Sequence, residues 1–119
     1  MSDPQILDGK AMERLREWGG DELASQMVKL FLANSPSRMD QIRSGLAGQD
    51  ATETERGAHS LKSSAANVGA ERVRQLSLGI EGAASNQDLS TAAELFSALE
   101  EAYALTRAAL EEVDRANEE

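Results

Sequence analysis

The stretch DLSTAAELFSALEEAYALTRAALEEV, residues 88–113, decides the fold class. Leu89, Ala92, Phe96, Leu99, Tyr103, Thr106, Leu110 and Val113 alternate spacings of three and four for more than three heptads, the period of a helix with one buried stripe. Asp88 stands where a helix N-cap belongs. Working back from this segment, the pattern repeats with breakers between. Val73, Leu76, Ile80 and Ala83 predict a helix over 71–85 that fades at Ser85-Asn86, and its Gly79 and Gly82 suggest close helix–helix approach. Asp50 and Glu53 form a D-x-x-E variant of the capping box and open a helix over 50–68 that Gly69 closes. Ser35-Pro36 reads as a helix start, serine capping and proline first, with Met39, Ile42 and Leu46 marking one face of 36–47 before Gly48. Asp21 to Asn34 carries Leu23, Met27, Leu30 and Phe31 and is expected to be heavily buried. A short helix over 9–18, capped by Asp8, takes Met12 and Leu15 up to Trp18 and ends at Gly19-Gly20.

Alternating β-branched runs are missing and aromatic residues make up only 3%, so the chain reads as all-α. Short connections make neighbouring long helices antiparallel. The expected architecture is an up-and-down four-helix bundle of 36–47, 50–68, 71–85 and 88–113. The helices near 9–18 and 21–34 are additional N-terminal elements across one end or side, although 21–34 is apolar enough to be a full member. A length of 119 residues suits one domain, 1–119, with 114–119 a polar tail expected to fray.

Composition removes several function classes. There is no cysteine, which excludes disulfide frameworks and Cys-based metal centres, and one histidine, which excludes a multi-imidazole metal site within one chain. A carboxylate-bridged di-metal bundle needs two Glu-x-x-His pairs, but position 56 is Arg and no second histidine exists. The net charge of −9 opposes binding to nucleic acid or anionic lipid, and neither a signal peptide nor a membrane span is visible, so a cytoplasmic protein is expected. The charge is uneven. Residues 38–74 hold six basic and five acidic residues, and residues 56–70 hold Arg56 and Lys62 with no acid, so the one neutral-to-positive island surrounds the one histidine, His59.

Stepping residues of 50–68 by 100° from His59 places Thr54, Ala58, Leu61, Ala65 and Val68 in one arc, the core face, about 140° from the histidine. His59 is therefore expected on the solvent side, with the small Ser63 and Ala66 leaving it accessible to a second protein. An imidazole largely unprotonated near neutral pH is a competent nucleophile. Lys62, one turn on, can bring a cation to phosphoryl oxygens on His59, and Ser63 can donate a hydrogen bond to the same group. No glycine-rich nucleotide loop and no metal-binding spacing accompanies them.

The run Ala58-His59-Ser60-Leu61-Lys62-Ser63-Ser64-Ala65-Ala66-Asn67-Val68-Gly69-Ala70 resembles the A-H-x-L-K-G-x-x-x-x-x-G-A pattern of histidine-containing phosphotransfer (HPt) domains. The order of elements over about 8–113 is also similar to that family. The resemblance implies that His59 is the phosphoacceptor, Lys62 the cation that positions the phosphoryl group, and Gly69 the residue that lets the chain turn tightly. Asn67 would shape the end of the site, and Arg56 and Ala66 would belong to the partner-facing surface. It further implies a phosphoryl carrier without kinase activity of its own, monomeric and without an intrinsic cofactor. Its partners would be receiver domains of response regulators or hybrid histidine kinases, which supply the aspartyl phosphate and Mg²⁺. Ser63 departs from the family glycine and either narrows access or adds a phosphate contact. The rival reading is an acidic helical-bundle adaptor, a degenerate HPt module that binds a signalling partner without chemistry.

Overall fold

The computed structural model describes residues 6–118. Residues 1–5 and Glu119, and with them the last residue of the polar tail, lie outside the described residues. Four helices follow one another, α1 (Gly9–Ala47), α2 (Ala51–Val68), α3 (Glu71–Ser85) and α4 (Leu89–Glu118). Each packs on the next, and α1 closes the ring against α4, giving the up-and-down bundle. Among the described residues no helix is long and apolar enough to cross a membrane.

The caps expected from sequence form. Asp8 accepts from the Lys10 amide at 3.0 Å, Asp50 from Glu53 at 3.1 Å and Asp88 from Thr91 at 3.1 Å. The box at α2 is only half made: the Glu53 carboxylate accepts instead from the Gln41 side chain of α1 at 2.8 Å, and the Asp50 amide donates to the Gly45 carbonyl at 2.8 Å. The Asp50 cap is thereby stitched to the preceding helix.

Three expectations need correction. Ser35-Pro36 does not start a helix. Pro36 lies inside α1, where its missing amide and the crowding of its ring against the Leu32 carbonyl are offset by continuity that buries Val28, Phe31, Ser35, Met39 and Ile42 in one stripe. The Ser35 hydroxyl, expected as a cap, instead meets the Tyr103 hydroxyl of α4 at 2.8 Å. Residues 21–47 thus form the first full rod of the bundle, and only the segment before Gly19 and Gly20, whose backbone leaves helical geometry, is additional. The 21–34 segment is also less buried than expected, since Leu30 is 53% exposed. Finally, α4 does not end at 113 but continues through the polar segment to Glu118. Asp114 accepts from Ser25 at 3.5 Å, tying that end to α1, and Arg115 pairs with Glu112.

The closest packing lies between α1 and α2. A Cβ built on Gly57 would stand 2.9 Å from Ile42 Cγ1 and 3.1 Å from the Ile42 amide nitrogen, and one built on Gly45 would stand 2.7 Å from the Thr54 amide nitrogen. Of the two α3 glycines, Gly79 abuts Leu95 of α4, with 3.1 Å from a built Cβ to Leu95 Cδ1, whereas Gly82 faces open space. Gly57→Ala and Gly45→Ala are each expected to lower the unfolding free energy by about 1–3 kcal/mol through overpacking. Gly82→Ala should raise it by up to about 1 kcal/mol through helix propensity. Urea titrations of the three variants check both signs.

Candidate functional site

The rotation of α2 about its axis follows from its buried face. Thr54, Ala58, Leu61, Ala65 and Val68 are all essentially inaccessible, as their arc predicts, and His59 points away from them with 62% of its side chain exposed. A groove beside it is lined by Gln41, Thr52, Glu55, Arg56, His59, Ser60 and Glu81.

The sequence island around His59 is free of acid, but its surroundings in space are not. Glu81 of α3 places Oε2 2.5 Å from His59 Nδ1 and Oε1 2.6 Å from Lys62 Nζ. One carboxylate joins the two residues singled out from sequence, and the positive patch expected there is partly neutralised. Only 18% of the Glu81 side chain is exposed. Burial pushes its carboxyl up, but hydrogen bonds from Lys62 and His59, with the charges they carry, outweigh this and hold it below the usual glutamate range.

Sequence reasoning missed Glu81, yet a signal was present. The turn between α2 and α3 is Gly69-Ala70, and His59 and Glu81 lie ten and eleven residues from its two ends, close to equidistant. Residues equidistant from the turn of an antiparallel helical hairpin face one another.

The other sequence candidates separate into groups. Arg56 shares the groove with His59, one turn before it. Ser63 and Ala66 are exposed on successive turns after it. Asn67 is also exposed but turns toward α1. It lines one hollow with Met27, Leu30, Phe31, Asn34 and Ser64, and a second with Ala66, Trp18, Leu23 and Arg14 among others. It is not part of the His59 groove. Gly69 lies ten residues, about 15 Å of helix, from His59 and acts in the turn alone. Its φ of 71° is left-handed, and a Cβ there would stand 2.4 Å from the Asp8 carbonyl oxygen. The chain start is hydrogen-bonded at the same place, Asp8 N donating to Gly69 O at 2.6 Å.

Comparison with known proteins agrees with this fold. The family described as Hpt domain matches residues 26–116. Among solved structures, histidine-containing phosphotransfer protein B (HptB) from Pseudomonas aeruginosa PAO1 superposes with a TM-score of 0.88 at 24% identity, over 96% of this chain and 98% of that one. The maize histidine-containing phosphotransfer protein ZmHP2 superposes with a TM-score of 0.80 at 18% identity, over 95% and 85%. No curated protein matches the chain.

The Glu81 bridge has a pH signature. The folded chain binds the Glu81 proton less tightly than the unfolded chain, so the carboxylate contributes stability that is present above the usual glutamate range and lost as pH falls through the lowered folded value. Urea melts of wild type and Glu81→Gln are expected to differ most above the carboxylate range and to converge on acidification through it.

Proposed function

The chain belongs to the Hpt domain family and is a histidine phosphotransfer protein of phosphorelays, and from that premise we propose that His59 is its phosphoacceptor. The observation that carries this reading is an exposed imidazole held by one ring nitrogen, with the other free for a partner and a lysine one turn on. The donor and acceptor of the phosphoryl group is the aspartate of a receiver domain, in a response regulator or a hybrid histidine kinase. In-line attack by His59 Nε2 forms an N–P bond as the P–O bond to the aspartyl carboxylate breaks, and the reverse step returns the group. Such transfer needs alignment and charge neutralisation more than covalent assistance, which suits a nucleophile on a rigid helix. Lys62 stabilises the charge on the transferring group, and Ser63 borders it. The Mg²⁺ is supplied by the receiver domain together with the aspartyl phosphate.

The docking surface in this reading runs from His59 along α2 to Ala66 and across to α1. Trp18, 74% exposed, and Leu30, 53% exposed, present apolar area there beside Met27 and Ala66. Arg56 lies on the opposite flank, where its charge favours the acidic active site of a receiver. The protein works as a cytoplasmic monomer and takes no phosphate from ATP alone. A binding-only adaptor would have no use for an imidazole fixed in this way.

Incubation with a panel of phosphorylated receiver domains tests the reading. The wild type is expected to acquire acid-labile phosphate, and His59→Gln none. Lys62→Ala should transfer roughly 10- to 100-fold more slowly, the equivalent of about 1.4–2.7 kcal/mol in the transition state. Ala66→Arg should slow transfer by obstructing docking while leaving the helical circular dichroism unchanged. Phosphate uptake by His59→Gln would refute the assignment.

A further inference from the structure

Arg56 and Lys62, three residues before and three after His59, stand about 60° to either side of it on α2. Lys62 holds the side nearer α3, where its Nζ is 2.6 Å from Glu81 Oε1, and Arg56 holds the other. The two ring nitrogens diverge. With Nδ1 turned to Glu81, Nε2 faces away from α3, toward the flank of Arg56. A helical side chain leans over the turn before its own Cα, so the imidazole also leans over the turn that carries Arg56.

The groove beside the ring has Glu55 and Glu81 in its walls, with the uncharged Gln41, Thr52 and Ser60, and Arg56 is the one lysine or arginine that lines it. Arg56 is exposed, and among the described residues it makes no hydrogen bond or ion pair. The ammonium of Lys62, by contrast, is already shared with a carboxylate. A phosphoryl group on Nε2 adds negative charge to a groove that holds two acids, and Arg56 is the cation there whose charge is not yet matched.

We propose that Arg56 is a second catalytic cation for phosphoryl transfer, its guanidinium taking oxygens of the phosphoryl group on His59 Nε2 from the side opposite Lys62. This deepens the reading of His59 as phosphoacceptor and rests on it. As Nε2 gives its lone pair to phosphorus, the P–O bond to the receiver aspartate breaks with its electron pair on that carboxylate, and Arg56 neither gives nor takes a proton. Its planar fork matches two phosphoryl oxygens and stays charged at every working pH. The contact breaks no ion pair within the bundle. It also outlasts the complex: once the receiver has left, Arg56 still faces the phosphohistidine, which a cation that serves docking alone does not.

That difference gives a test without any receiver. Phosphoramidate is a small phosphoryl donor whose P–N bond breaks as Nε2 bonds to phosphorus, the nitrogen leaving with its electron pair as ammonia. Phosphorylation of His59 by phosphoramidate should be roughly 3- to 10-fold slower in Arg56→Gln than in wild type, the scale of one exposed charge-assisted contact. In the phosphorylated protein, the protonation midpoint of the phosphoryl oxygens, followed by ³¹P resonance against pH, should rise by a few tenths of a unit in Arg56→Gln, because the lost cation favoured the more negative form. Arg56→Lys, which keeps the charge and loses the fork, should fall between the two in both measurements. Arg115→Gln removes the same charge near the far end of α4 and should match wild type, with circular dichroism confirming the fold of each variant. Phosphate on His59 at the wild-type rate and with the wild-type midpoint in Arg56→Gln would overturn the proposal alone and leave His59 in place. Phosphate on the wild type at a residue other than His59 would overturn both.

Discussion

The backbone-to-backbone approach of α1 and α2 at Gly45 and Gly57 is the constraint on which the site depends. At these glycines two helices come nearer than any side chain would permit, so Ile42 and Thr54 lock the pair in one register. Once α2 is pinned there, the direction of every side chain on it follows from 3.6 residues per turn. Ala58 and Leu61 go inward, and His59 goes out toward α3. The polar stitches at the same end, Gln41 to Glu53 and Asp50 to Gly45, hold the helix against sliding. A nucleophile that a separate protein must find in line needs this kind of fixed address.

Much of this was legible from the residues alone. Helix existence, the caps at Asp8, Asp50 and Asp88, the left-handed turn at Gly69 and the exposed bearing of His59 all follow from local rules that operate within a few residues. What escaped were features set by pairs far apart in the chain. Pro36 carries a strong local start signal. Burial of the stripe on both sides of it, and the bond between Ser35 and Tyr103 sixty-eight residues further on, override that signal. Glu81 reads locally as one more charged residue on α3, and it becomes part of the site only when the hairpin folds about Gly69 and Ala70.

The electrostatics show the same division. Counting charges along 56–70 finds an island with no acid, but counting them around His59 finds Glu81 in contact and Glu55 lining the groove. Placing a half-buried carboxylate with two hydrogen-bonded partners behind the ring leaves the cations Arg56 and Lys62 to flank it. The net field at the site is therefore nearly balanced at rest, in a protein whose overall charge is −9.

The hydrogen bond from Asp8 to Gly69 closes a loop of about sixty residues, and one such bond contributes only about 1 kcal/mol, less than the entropy of closing that loop. The latch is thus held by the rest of the fold rather than holding it. The segment behind it, joined to the rod through Gly19 and Gly20, supplies Ala11, Leu15 and Trp18 to one wall of the hollow at Ala66 and Asn67, while the other wall belongs to the rigid bundle. In the language of sub-global unfolding, residues 7–19 are expected to open as a unit at lower free energy than the core. The hollow beside the phosphoacceptor helix accordingly has one jaw fixed and one set on a hinge.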